Sequence, residues 1–65
     1  MIAYEDNRGW MYFITTDCVR GYSVYFAKPG QRIKQRPHSM WRSTEAEAQR
    51  DLDELAKRKG WRRVL

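Results

Sequence analysis

A chain of 65 residues has room for one domain, and at that size folding buries roughly 60% of the surface the unfolded chain exposes, so the core must be thin. Hydrophobic residues make up 42% and include three Trp, four Tyr and two Phe, which favours folding over disorder, while the lack of any apolar run of about eighteen residues excludes a membrane-spanning helix. Thirteen Lys and Arg against eight Asp and Glu give a net charge of +5, a balance that suits an anionic partner such as nucleic acid.

Met1 to Asp6 lacks the charged start and apolar stretch of a signal peptide, so a cytoplasmic location is expected. Ile2–Tyr4 is at most a short, weakly marked first strand. Trp10 to Thr15 is the first clear one, rich in aromatic and β-branched residues and opened by Gly9. Both of its faces are apolar. Placing Trp10, Tyr12 and Ile14 inward leaves Met11 and Phe13 outward. Thr16 to Gly21 is short enough to turn the chain into an antiparallel partner, Tyr22 to Ala27, whose more apolar set is Tyr22, Val24 and Phe26. That set is expected under the helix, with Ser23, Tyr25 and Ala27 outward.

Lys28-Pro29-Gly30-Gln31 has Pro and Gly where a type II turn places them, so a third strand, about Arg32 to Arg36, returns beside the second. Counting alternation from an inward Ile33 puts Arg32, Lys34 and Arg36 outward. From Lys28 to Arg42 there are five basic residues and no acid.

The last third carries the strongest signal. Thr44 with Glu47 three residues on has the spacing of a capping box, and Ala48, Leu52, Leu55 and Ala56 form one apolar helical stripe. Gly60 fits the left-handed residue that ends a helix, and Trp61 is placed to fold back onto Leu55 or Ala56. Asp53–Lys57 and Glu54–Arg58 have the spacing and order of favourable i,i+4 pairs. Basic residues from Lys57 to Arg63 complement the helix dipole, so they need no ligand to explain them.

The expected fold is therefore one small basic α+β domain spanning residues 1–65, a three-stranded antiparallel meander packed against a C-terminal helix. Trp41 and Trp61 are expected to close the two ends of its helix–sheet core. Catalysis is not expected. Cys18 and His38 each stand alone, with no second Cys or His to complete a metal or nucleophile–base set, and no Gly-rich phosphate loop is present. No cofactor and no small-molecule substrate is implied.

The outer sheet face is expected to gather Phe13, Tyr25, Arg32, Lys34 and Arg36. Bases in phase with aromatic rings can lie along a phosphate backbone or enter a groove as a β-ribbon. The same residues also fit a second class of partner, with the bases keeping an edge strand soluble and Phe13 and Tyr25 forming a protein contact or a homodimer interface.

Gly9-Trp10, the strand Tyr22 to Phe26, the turn Pro29-Gly30 and the run Trp41-Arg42-Ser43-Thr44-Glu45-Ala46-Glu47-Ala48 together resemble the arm-type DNA-binding domains at the N-termini of phage and conjugative-transposon integrases. The resemblance implies a three-stranded sheet on one helix whose outer face sits in the DNA major groove. It would carry that role to Tyr25, Arg32, Lys34 and Arg36, in a stand-alone module of mobile-element origin.

Overall fold

The computed structural model describes residues 1–65. Its elements run β1 (Tyr4–Glu5), β2 (Met11–Thr16), β3 (Tyr22–Ala27), β4 (Lys34–Gln35), α1 (Glu45–Lys59) and β5 (Arg62–Arg63). All strand pairs are antiparallel, and the spatial order is β4-β3-β2-β1-β5.

The α+β class and the C-terminal helix are as expected. The strand count is not, because the sheet has five strands instead of three. The two added strands are only two residues long and pair with each other, Tyr4 with Arg63 and Glu5 with Arg62. Neither is long enough to show a period of its own.

α1 starts and stops where its caps dictate. Thr44 is extended, and its hydroxyl oxygen accepts the Glu47 N–H at 3.2 Å, while the Glu47 carboxylate accepts the Ser43 and Thr44 hydroxyls. Those two hydroxyls, Thr44 first, hold the Glu47 carboxyl below its ordinary pKa. At the other end Gly60 takes φ 73°, and its N–H and that of Trp61 both reach the Ala56 carbonyl.

The helix buries Ala48, Leu52 and Ala56, and packs on β2 and β3. Tyr12, Ile14 and Val24 meet Ala48 and Leu52 to form the core, so Tyr12 and Ile14 do point inward from β2. Trp61 closes this core by stacking on Tyr12, ring centres 3.8 Å apart and planes within 7°. Trp41 does not. It lies across the sheet, edge-on to Tyr25 at 6.3 Å.

Polar clamps tie helix to sheet. The Tyr4 hydroxyl donates to Asp53, Gln49 both accepts from and donates to the Ile2 backbone, and Arg42 is paired with Asp51. Asp53 is thus engaged by Tyr4 and Gln49, and neither Asp53–Lys57 nor Glu54–Arg58 forms. No helix is long and apolar enough to cross a membrane.

The connections are built by short polar side chains. Asp6 folds the β1–β2 turn by accepting the N–H groups of Arg8 and Trp10 on one carboxylate oxygen. Asp17 does the same for Val19 and Arg20 after β2. Gly21 is the one position where the backbone admits no side chain at all. Its φ is 108°, and a Cβ there would lie 2.2 Å from the Arg42 carbonyl oxygen, which accepts the Tyr22 N–H.

Candidate nucleic-acid interface

Pairing across β3 and β4 sets the faces. Tyr25 lies opposite Gln35 and Phe26 opposite Lys34, and cross-strand partners share a face. Lys34 is therefore on the helix side of the sheet, with Phe26. The Arg36 N–H continues the ladder to the Val24 carbonyl at 2.8 Å, so Arg36 lies on that side too.

The five residues expected on one surface are divided. Phe13 and Tyr25 are direct partners on the outer face, as expected, but Lys34 and Arg36 are behind them. Arg32 precedes β4 and belongs to no strand. The error lies in the anchor used for counting. Ile33 is 54% exposed and outside the strand, because β4 sits at the sheet edge beyond the strands that α1 covers. Helix-side positions there meet water, so bases can occupy them.

Behind the sheet, Arg36 joins a different aromatic set. Arg8, Trp10, Tyr12, Phe26, Lys28, Arg36 and Pro37 line an open cleft of about 390 Å³. Trp10 and Phe26 stack with ring centres 5.9 Å apart. The Arg8 guanidinium lies 3.6 Å over the Trp10 ring, and the Lys28 ammonium is 4.7 Å from the same centre.

Asp6 supports this cleft from below. Its second oxygen accepts the Tyr12 hydroxyl at 2.8 Å and two guanidinium N–H groups of Arg8 at 2.9 and 3.2 Å. Burial pushes the Asp6 carboxyl up, but the Trp10 N–H, the Tyr12 hydroxyl, and the Arg8 guanidinium and N–H outweigh it and hold it at about 2. The ion pair fixes the arginine over the indole.

The outer face is electrically quieter. Its charges near the edge are paired, Arg62 with Glu5 and Arg20 with Asp17, and the Arg20 guanidinium also covers Trp41 at 4.3 Å. Ser23 points outward yet is fully buried, because the chain from Arg36 to Arg42 folds over it. Its hydroxyl donates to Ser39 and accepts from Gln35, and Ser39 in turn accepts the Val24 N–H. Met11, Phe13, Tyr25 and Ala27 remain half-exposed.

Four of the thirteen basic side chains have carboxylate partners, namely Arg8, Arg20, Arg42 and Arg62. The other nine do not, and Lys28, Lys34 and Arg36 of the β3–β4 hairpin are among them. Cys18 and His38 are exposed, and no three metal-binding side chains come together.

Residue patterns missed Arg8, Trp10 and Lys28 as members of a site. The register holds the clue: once Met11 pairs with Ala27, Trp10 and Lys28 become neighbours on the helix side. Comparison with protein families, with curated proteins and with solved structures finds no match for this chain.

Proposed function

We propose that this protein is a non-enzymatic nucleic-acid-binding module, as its resemblance to the integrase arm-type domains also implies for DNA. The observation that carries the reading is the convergence of Lys28 and Arg36, which have no carboxylate partner, with the Asp6-paired Arg8 on the ring cluster of Trp10, Tyr12 and Phe26. Folding alone does not ask for it. Gathering like charges costs free energy, which a polyanion would offset, and Lys34 and Arg32 extend the positive surface along the hairpin. This surface is the helix side of the sheet edge, not the outer face that strand alternation suggested and that the resemblance implies.

Fluorescence anisotropy with a labelled random duplex at two salt concentrations tests it. Binding should weaken with a log–log slope of about −0.9 per phosphate neutralised, and each of Lys28→Gln and Arg36→Gln should reduce that slope by about 1. Absence of binding at low salt, both to this duplex and to a single strand of the same length, refutes the proposal.

The outer face supports a second reading, self-association as a homodimer, because Met11, Phe13, Tyr25 and Ala27 form a half-exposed apolar strip free of unpaired charge. Light scattering decides it: a mass twice that of the chain, lost on Phe13→Ser, is the expected result, and a monomer at high concentration excludes it.

A further inference from the structure

The cleft has features that a duplex would not use. Its floor is a run of rings, Trp10 on Phe26, Phe26 on Tyr12 and Tyr12 on Trp61. Trp61 closes over Tyr12, whereas Trp10, one step nearer the β1–β2 turn, is only half-buried, with the Arg8 and Lys28 cations against its ring. Arg8 is held over the indole by Asp6, whereas Lys28 has no carboxylate partner, so it can swing to a phosphate and leave its side of the ring to a ligand.

The ring surface is recessed as well. Arg36 and Pro37 form a wall on the β4 side, Arg8 stands on the other, and the volume of about 390 Å³ is at the lower end for ligand sites, room for one small planar group and its anion. Bases inside a duplex are stacked on both faces and expose only their edges. An unpaired base exposes a π-face to aromatic rings and guanidinium planes.

We infer that this cleft seats one unstacked base of a single-stranded nucleic acid against Trp10 and Phe26, with the adjoining phosphates neutralised by Lys28 and Arg36. The inference rests on the nucleic-acid reading above and adds a preference for single strands over duplexes. Arg8 then has two roles. Its ion pair with Asp6 keeps a flat cation beside the indole, and its exposed side offers a second stacking plane for the base.

The test measures the affinities of oligothymidylate, oligouridylate and a duplex of equal length at one low salt concentration, for the wild type, Trp10→Leu and the double variant Lys28→Gln/Arg36→Gln. The wild type should bind at least one single strand more tightly than the duplex, with quenching of tryptophan fluorescence. Trp10→Leu, which keeps an apolar group beside Phe26, should weaken single-strand binding roughly 5- to 150-fold, the range for losing one base–aromatic stack. Its duplex affinity should change less than about 2-fold.

Loss of two phosphate contacts should lower the single-strand salt slope of the double variant by about 1.4. Equal or tighter duplex binding by the wild type, or unchanged single-strand affinity in folded Trp10→Leu, overturns the inference while leaving the broader reading intact. Should Trp10→Leu fail to fold, the wild-type preference and its fluorescence quenching decide alone. No binding to any of the three probes overturns both.

Discussion

Replacing Asp6 by Asn removes a charge that five hydrogen-bond donors share. One oxygen takes the backbone N–H groups of Arg8 and Trp10 at 2.9 and 3.0 Å, and the other takes two N–H groups of the Arg8 guanidinium and the Tyr12 hydroxyl. An Asn keeps the first set with its amide oxygen. Its NH2 then meets the guanidinium head-on, and the Tyr12 hydroxyl must turn to accept.

The Asp6 side chain is 3% exposed, whereas that of Arg8 is 57% exposed, so the guanidinium contacts are screened and contribute little. The loss centres on the buried Tyr12 hydroxyl and on N–H bonds that no longer reach a full charge. Charge-assisted bonds are worth about 1.5–3 kcal/mol each, so a destabilisation of about 2–3 kcal/mol is expected. Chains of this length hold about 3–10 kcal/mol in total.

Urea unfolding followed by tryptophan fluorescence measures this, and with a slope of about 1 kcal/mol/M the midpoint should fall by about 2–3 M. A change under about 0.5 kcal/mol would refute the assigned role of Asp6. The pH dependence has a definite sign. The folded carboxyl lies at about 2 against an ordinary 3.8, so its stabilisation is complete above the unfolded value and is lost as pH falls from about 4 towards 2. The variant should show a shallower acid limb. Some slope remains, because the Val19 and Arg20 N–H groups hold Asp17 at about 2 as well, and Glu47 is also depressed.

Three further substitutions probe the frame. Gly21→Ala puts a Cβ against the Arg42 carbonyl at a φ hostile to side chains, and should cost at least about 3 kcal/mol in the same urea assay. Ser39→Ala leaves the Val24 N–H without its acceptor and should cost about 1–3 kcal/mol, with faster hydrogen exchange at Val24 than in the wild type. Thr44→Ala removes the helix cap and should cost about 1 kcal/mol, readable as a lower midpoint by circular dichroism at 222 nm.

The helix was legible because its signals are local: Thr44, Glu47 and Gly60 each act within one turn, and the stripe of Ala48, Leu52 and Ala56 repeats with the helical period. The face of β3 was legible from alternation, with Val24 buried as expected, whereas β2 is apolar on both faces, so alternation alone did not single out Tyr12 and Ile14 as its buried set. β1 and β5 were not. β1 is flanked by β2 and by β5 from the far end of the chain, β5 has β1 as its one partner, and two residues carry no period.

The reversal at β4 has a related cause. Whether Ile33 or Lys34 faces the helix depends on how far α1 reaches across the sheet, which no residue within the strand encodes. Candidate residues followed suit: Phe13 and Tyr25 fell on the expected face, while Lys34 and Arg36 moved behind it, where Arg36 shares a cleft with Trp10, whose aromatic character had been assigned to the core.

Both chain segments that flank α1 belong to the sheet. Before it, Arg42 exchanges two backbone hydrogen bonds with Tyr22, each 2.7 Å. After it, Arg62 and Arg63 pair with β1, and the Val64 N–H reaches the Ala3 carbonyl at 2.9 Å. The helix therefore has no free end from which to peel away. Detaching it means breaking strand pairs on both sides, so opening of the helix and dissolution of the sheet are one event. Amides in α1 and in β3 should exchange with solvent through the same global unfolding, with a single free energy.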